Sequence, residues 1–121
     1  MKRVLIVEDQ TDIRELICLT LELEDYELHE ADNGDGGYAA ATTLKPDLIL
    51  LDVMMPGSMD GIEVCKRLKA DSRYSKTKII ILSAKGQDHD KQQGKQAGAD
   101  GYLTKPFSPK QLLEVVNKHI G

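Results

Sequence analysis

Carboxylate, hydroxyl and ammonium side chains follow four short apolar runs in the sequence. VLIV (4–7) leads into Glu8 and Asp9, LILL (48–51) into Asp52, IIIL (79–82) into Ser83, and GYLT (101–104) into Lys105. A single acid in such a position usually caps the next helix or starts a turn. Four runs that all end in a reactive group fit that explanation poorly, so we predict that these side chains form one site.

The three acids indicate a metal and phosphoryl site. Two like charges about 4 Å apart repel by about 4 kcal/mol at an effective dielectric of 20, so gathered carboxylates need a cation among them. A few hard oxygen ligands completed by waters suit Mg²⁺, with Mn²⁺ as a substitute. The histidines are scattered and predict no zinc site. An aspartate beside Mg²⁺, with a hydroxyl and a lysine nearby, can act as a nucleophile and carry a phosphoryl group.

The elements that would position these groups are short strands and amphipathic helices. Continuous apolar runs of four residues suit strands buried on both faces, and YELHEA (26–31) alternates as a fifth strand would. Apolar residues recur at helical spacing in three segments: Ile13, Leu16, Ile17, Thr20 and Leu21; Tyr38, Ala41 and Leu44; Ile62, Cys65 and Leu68. Gly36 and Gly37 weaken the start of the second helix.

Two further helices complete the pattern. Residues 88–97 predict a fourth helix that is polar on nearly every side and is a candidate mobile element or simply a solvated face. Ser108, Pro109 and Gln111 form a capping pattern for the fifth. Five alternating strands and helices predict one α/β domain over residues 1–121, a three-layer sandwich around a parallel sheet. Parallel strands end at a common edge where ligands bind, which would bring the reactive groups together.

Composition and charge disfavour several classes of protein. The net charge of −4 and the pI near 5.3 argue against a nucleic-acid-binding surface. Cys18 and Cys65 have no CxxC spacing and are interpreted as packing residues. The first apolar run is too short for a signal peptide, and no run approaches the roughly 18 residues of a membrane span. We therefore expect a soluble cytoplasmic protein.

In their order and spacing, several motifs resemble the receiver domain of two-component response regulators, of the kind found in chemotaxis regulators. The motifs are VLIVED, LILLDVMMP, the DG pair at 60–61, IIILSAK and AGADGYLTKPF. The resemblance extends over essentially the whole chain. It implies a flavodoxin-like (βα)5 fold with a sheet of order 2-1-3-4-5.

The resemblance also implies a set of metal-site residues. Asp52 matches the phosphoacceptor, and Asp9 matches a direct Mg²⁺ ligand. Glu8 matches an acid that acts through a metal-bound water, although most relatives have Asp there. The backbone carbonyl of Met54, two residues after the acceptor, would be a third ligand.

Three further matches imply a conformational switch. Ser83 matches the switch hydroxyl, Tyr102 the switch aromatic, and Lys105 the lysine of the phosphoryl site. The Lys105–Pro106 peptide matches one that is usually cis in the family. Phosphorylation of Asp52 would draw Ser83 towards it and turn Tyr102 inward, which would change the face formed by the fourth helix, fifth strand and fifth helix.

The implied partners are those of a signalling switch. A histidine kinase or a phosphotransfer protein would donate the phosphoryl group. A downstream protein or a fused output domain would read the altered face, which is also the expected contact of a homodimer. The sequence leaves open whether the chain is a natural single-domain regulator or a receiver from a longer protein.

Two features depart from the common family pattern. One extra residue within Gly57-Ser58-Met59 lengthens the loop after Asp52, and we expect it to bulge outward and leave the site in place. Met54 and Lys85 flank the route of an attacking water, and neither is an acid or an amide. We therefore expect slow loss of the phosphoryl group.

Three alternative functions remain under consideration. A Mg²⁺-dependent aspartate phosphatase would need a second acid two residues after its nucleophile, where this chain has Met54. A nucleotide-binding protein would need a G-x-x-x-x-G-K-[ST] loop, which the sequence lacks. A receiver-like interaction module without phosphotransfer would not need the full set Asp9, Asp52, Ser83 and Lys105.

Overall fold

Five strands and five helices alternate along the chain in a computed structural model that describes residues 1–55, 57–84 and 88–121. The strands are β1 (Lys2–Val7), β2 (Tyr26–Ala31), β3 (Leu48–Asp52), β4 (Lys78–Ala84) and β5 (Gly101–Lys105). The helices are α1 (Thr11–Leu21), α2 (Gly34–Leu44), α3 (Gly61–Lys69), α4 (Asp88–Ala97) and α5 (Pro109–Ile120). A short 3-10 turn covers Ser72–Tyr74.

All strand pairs are parallel, and the sheet has the order β2-β1-β3-β4-β5. The predicted fold class and strand order are therefore confirmed. The central strand β3 is buried at all five positions because helices cover both faces of the sheet. Its last residue, Asp52, thus reaches the edge where the parallel strands end.

Alternate strand residues supply two apolar clusters, one on each face of the sheet. Leu5 and Val7 of β1 pack in the cluster that α2, α3 and α4 complete. Val4 and Ile6 pack in the cluster that α1 and α5 complete. The sheet is consequently the rigid middle layer on which the residues of its edge are mounted.

The helices largely follow the predicted faces. The capping box of α5 is confirmed, since Ser108 and Gln111 exchange hydrogen bonds of 2.9 and 3.1 Å. Leu16 departs from the α1 stripe: it is 40% exposed and lies outside the cluster that contains Ile17. Gly37 was expected to weaken the start of α2, and the structure gives a reason for glycine at this position. A Cβ there would lie 2.7 Å from Cγ1 of Val7.

The fourth helix spans the predicted residues, and its buried face consists of Asp90, Gly94 and Ala97. The cysteines pack as expected, with Cys65 buried and Cys18 half-buried. None of the helices in the described part of the chain is both long enough and apolar enough to cross a membrane.

Candidate functional site

The two acids after β1 lie in contrasting environments. Glu8 is fully buried, whereas Asp9 is exposed. Oε2 of Glu8 accepts a hydrogen bond of 3.1 Å from the backbone N–H of Gln10. Oε1 lies 2.5 Å from Nζ of Lys105, at an angle outside that of a directed hydrogen bond, so this contact is an ion pair. The buried charge of Glu8 is therefore compensated by a cation from another strand.

Asp52 stands beside these acids at the end of β3 and is only 7% exposed. Each of Glu8, Asp9 and Asp52 contributes one carboxylate oxygen to a group of three atoms that lie within 4.8 Å of one another. Strands β1 and β3 are adjacent, with Val7 paired to Leu51, so the residues that follow them emerge at the same level of the sheet edge. The structure thus brings together the three acids that the sequence placed at strand ends.

Lys105, the last residue of β5, reaches into the same cluster. Its Nζ lies 3.3 Å from Oδ1 of Asp52, and its side chain is 16% exposed. Because the same ammonium also pairs with Glu8, one cation is shared between two buried acids. The cluster of three acids and one lysine retains a formal excess of negative charge.

This excess is reflected in the protonation of Asp52. Burial and the charge of Glu8 together raise the pKa of its carboxyl to about 7, against the opposing effect of Lys105. A bound cation would favour the ionised form and so lower this pKa. The electrostatics of the site therefore favour a cation beside Asp52.

The donor set fits a hard divalent cation. The cluster offers carboxylate oxygens without a histidine or cysteine, and such ligands suit Mg²⁺ or Mn²⁺ rather than zinc. The exposed side chain of Asp9 leaves room for waters to complete a coordination shell. Glu8 is already held by Lys105 and by the backbone N–H of Gln10.

Ser83 lies in β4, next to the strand that carries Lys105. It is 1% exposed and pairs in register with Thr104. Its Oγ has no hydrogen-bond partner among the described residues. A buried hydroxyl without a partner is uncommon and is often found at functional sites, so this hydroxyl is available to donate to an incoming group.

Tyr102 carries a second hydroxyl of this kind. Its oxygen is buried without a partner in the described part of the chain, and burial raises its pKa. The ring lies against α4 at Gly94, where a Cβ would be 3.1 Å from Cε1 of Tyr102. Tyr102 therefore connects β5 with the surface of α4.

The residues expected to tune hydrolysis are differently placed. The side chain of Met54 is 74% exposed at the mouth of the site. Lys85, the other predicted residue, lies outside the described residues. The Lys105–Pro106 peptide is cis, as the family resemblance implied.

A cavity of about 490 Å³ opens at this edge of the sheet and includes one acid that the sequence did not single out. Asp90 of α4 lines it together with Asp9, Asp52 and Lys105, and is only 8% exposed. The signal was present in the sequence, because Asp90, Gly94 and Ala97 follow helical spacing and form the buried face of α4. Because these side chains are polar or small, the sequence does not show the apolar stripe that usually identifies a buried helix face.

Comparison with known proteins identifies one family over most of the chain. A family model described as the response regulator receiver domain matches residues 4–117. The phosphate regulon transcriptional regulatory protein PhoB of Pseudomonas aeruginosa is 49% identical over 112 residues, which is 93% of this chain and 48% of that protein. The transcriptional regulatory protein ResD of Bacillus subtilis is 45% identical over 111 residues, or 92% of this chain and 45% of that protein.

Solved structures show the same similarity in three dimensions. The chemotaxis response regulator CheY4 of Vibrio cholerae superposes with a TM-score of 0.91 at 37% identity, and 99% of each chain is covered. The receiver domain of NtrX from Brucella abortus gives a TM-score of 0.88 at 26% identity over 97% of each chain. The chain spans about half the length of the curated relatives it matches.

Proposed function

Because the chain belongs to the response regulator receiver domain family of two-component signalling, we propose that it is a phosphorylation switch with Asp52 as the phosphoacceptor. The observation that supports the proposal most strongly is the cluster of Glu8, Asp9 and Asp52 within 4.8 Å at the end of a buried central strand. Lys105 completes it with a cation 3.3 Å from Asp52.

The proposed reaction transfers a phosphoryl group from a phosphohistidine of a kinase or phosphotransfer protein. A carboxylate oxygen of Asp52 attacks phosphorus, a P–O bond forms, and the P–N bond breaks with its electron pair passing to the imidazole. Asp52 must be ionised to attack, whereas burial raises its pKa to about 7. Mg²⁺ or Mn²⁺ would supply positive charge that favours the carboxylate and offsets the phosphoryl oxygens.

The chain's own residues divide the remaining tasks. Asp9, Asp52 and the backbone carbonyl of Met54 would hold the metal, and Glu8 would act through a bound water. Lys105 would shift from its shared ion pair to the phosphoryl oxygens as these gain charge. The domain would thus promote only its own phosphorylation and dephosphorylation rather than act on other substrates.

The switch would run from Ser83 to the face formed by α4, β5 and α5. The free Oγ of Ser83 could donate to a phosphoryl oxygen, and its movement would alter the space beside Tyr102. Because the Tyr102 ring contacts α4 at Gly94, a shift of the ring would move that helix. Phosphorylation would change the equilibrium only through this difference in stabilisation.

The altered face would carry the output, through a fused domain or a separate protein. PhoB and ResD are described as transcriptional regulatory proteins, and this chain matches less than half of each. We also propose that the phosphorylated domain forms a homodimer through α4, β5 and α5. Size-exclusion chromatography with and without a phosphoryl mimic tests this, and an unchanged elution volume would exclude the dimer.

Acetyl phosphate and Mg²⁺ followed by mass spectrometry test the central proposal. One added phosphoryl group is expected, and it should be absent in Asp52→Asn and after chelation of the metal. Asp25→Asn, which alters an exposed acid in the turn before β2, is the matched control and should be modified like the wild type. Modification that persists in Asp52→Asn would contradict the assignment of the acceptor.

A further inference from the structure

The loop between β3 and α3, which contains the extra residue, is tied to helix α2 by two hydrogen bonds. The backbone N–H of Ser58 donates to Oδ2 of Asp35 at 3.2 Å, and the Ser58 hydroxyl donates to Oδ1 at 2.7 Å. These bonds hold the pKa of Asp35 below its usual value, so its carboxylate stays ionised. Gly57 and Ser58 are exposed, as an outward bulge requires, and Asp35 holds this exposed part of the loop in place.

Backbone packing holds the same loop close to α2. A Cβ on Gly34 would lie 2.0 Å from the carbonyl oxygen of Met59, so only glycine permits this approach. The side chain of Met59 is buried in the core cluster. Gly57 has a φ of 109°, which allows the chain to turn back towards Asp35.

The other end of the loop closes on Asp52 itself. The backbone N–H of Gly61 donates to the carbonyl of Val53 at 3.0 Å. A Cβ on Gly61 would lie 1.9 Å from the carbonyl oxygen of Asp52. The segment that carries Met54 thus starts at Val53, which is bonded to Gly61, and leads towards Ser58, which is fastened to α2.

Helix α2 is in turn fixed to the strand that carries the other two acids. Oδ1 of Asn33 caps the helix by accepting from the N–H of Gly36 at 2.6 Å. Gly37 packs directly on Val7, the last residue of β1 before Glu8. A continuous path of contacts thus runs from β1 through α2 to the loop after Asp52.

We propose that Asp35 is a positioning residue, which through Ser58 sets the Met54 segment at the distance from Asp9 that a divalent cation requires. This inference rests on the proposed function, since the cation is the one that phosphorylation of Asp52 would use. Residues that orient metal ligands typically contribute roughly 10–100-fold in metal affinity. Asp35 acts on the backbone of a loop rather than on a ligand side chain, so about tenfold, the lower limit, is expected.

Isothermal titration with Mg²⁺ tests this role in wild type, Asp35→Ala, Ser58→Ala and the double variant. Asp35→Ala removes both bonds and should weaken binding by about tenfold. Ser58→Ala leaves the backbone N–H able to donate to Asp35, so it should weaken binding by a smaller factor that still exceeds twofold. The double variant should be no weaker than Asp35→Ala, because Asp35→Ala already removes both bonds. Asp35→Asn should recover most of the affinity, since its amide oxygen can still accept from the N–H of Ser58. Hydrogen exchange of the 53–60 segment without metal should be faster in both alanine variants.

Controls separate positioning from charge and from unfolding. Asp12→Ala removes an exposed charge in the first turn of α1, which begins at the same sheet edge, and should bind Mg²⁺ like the wild type. An equal loss in Asp12→Ala and Asp35→Ala would overturn the proposal, because the effect would then be one of net charge. Ser58→Ala removes only an exposed hydroxyl, so it keeps the test valid should Asp35→Ala fail to fold.

Two negative results have different meanings. If the wild type binds Mg²⁺ and Ser58→Ala and Asp35→Ala bind within twofold of it, positioning by Asp35 is refuted and the proposed function stands. If the wild type binds no Mg²⁺ and is not phosphorylated, the proposed function fails, and the inference that depends on it fails too.

Discussion

The two ends of the sheet each hold a lysine–aspartate pair, but in opposite circumstances. At the amino end, Oδ2 of Asp100 receives Nζ of Lys69 at 2.7 Å and the N–H of Ile79 at 2.8 Å. At the carboxyl end, one ammonium, that of Lys105, is shared by Glu8 and Asp52. The first pair is matched charge for charge, whereas the second leaves an excess of negative charge.

The hydrogen bonding of the two ends differs in the same way. At the amino end, Lys69 also donates to the carbonyl of Thr77 at 2.8 Å, and the Thr77 hydroxyl donates to the carbonyl of Pro46 at 2.9 Å. At the carboxyl end, the hydroxyl of Ser83 has no partner within the described residues. The amino end stabilises the fold, and the carboxyl end holds groups that a ligand would satisfy.

The largest expected effect is on stability and comes from the amino end. Lys69→Ala removes the partner of a carboxylate whose side chain is only 24% exposed, and it should lower the free energy of unfolding by about 2 kcal/mol. Urea denaturation measures the loss, and phosphorylation by acetyl phosphate should be unchanged. Lys66→Ala, on the exposed face of the same helix, is the control and should change stability little. A loss of phosphorylation in folded Lys69→Ala would contradict the division between the two ends.

One substitution type should have opposite effects at the two ends. Asp100→Asn should destabilise by about 1 kcal/mol, because the charge that pairs with Lys69 is lost. Asp52→Asn should stabilise by about 1 kcal/mol at pH 8 without metal, after allowance for solvent screening, because it relieves repulsion with Glu8. If urea denaturation showed that both variants change the free energy of unfolding in the same direction, the negative charges of the site would already be compensated.

The pH dependence follows from the pKa of Asp52, which is raised to about 7. The folded state then binds the proton more tightly than the unfolded state, so wild-type stability falls as the pH rises from about 4 through 7. Asp52→Asn lacks this titration, so its free energy of unfolding relative to the wild type should increase from pH 5 to pH 8 in the presence of a chelator. A difference between the two proteins that is constant over this range would exclude a raised pKa of Asp52.

The main elements could be predicted because their signals are local. Apolar runs such as LILL identify buried strands by composition alone, and a parallel sheet puts their ends at one edge. That argument predicted that Asp52 and Lys105 lie close together, although they are 53 positions apart in the sequence. It could not decide that Glu8 would be buried and Asp9 exposed, which depends on the direction of each side chain at the end of β1.

Contacts between helices and loops could not be predicted, because nothing in the local pattern specifies them. The bonds from Ser58 to Asp35 join residues 23 positions apart, in a loop whose extra residue had no sequence-based explanation. Gly37 was interpreted as a weak helix former, whereas its lack of a side chain allows α2 to contact Val7. In both cases the determining fact is distance in space rather than spacing in the sequence.

A smaller effect is expected where the site meets α4. In Gly94→Ala the new Cβ would lie 3.1 Å from both Ile81 and Tyr102. The overpacking cost should be near its lower limit of about 1 kcal/mol, because both contacts exceed 3.0 Å and the two side chains need to move only slightly. The gain in helix propensity, about 1 kcal/mol, should nearly cancel it. The free energy of unfolding should therefore change little, while NMR signals of the Tyr102 ring shift.

Gly98→Ala provides the contrast from the amino end. Gly98 has a φ of 96° and packs on Lys69, so the substitution should destabilise by about 1 kcal/mol without shifting the Tyr102 ring signals. If Gly94→Ala also left those signals in place, Tyr102 would not be coupled to α4.

The smallest effect is a change of rate without a change of stability. Met54→Asn replaces an exposed apolar side chain at the mouth of the site with an amide that can orient water. Loss of the phosphoryl group should become about threefold faster, equivalent to about 0.7 kcal/mol in the barrier, with unfolding unaffected. Lys85→Glu tests the second predicted residue in the same assay of phosphoryl lifetime. Unchanged lifetimes in both variants would mean that neither side chain controls the access of water, and that the slow hydrolysis predicted from the sequence has no basis at these two positions.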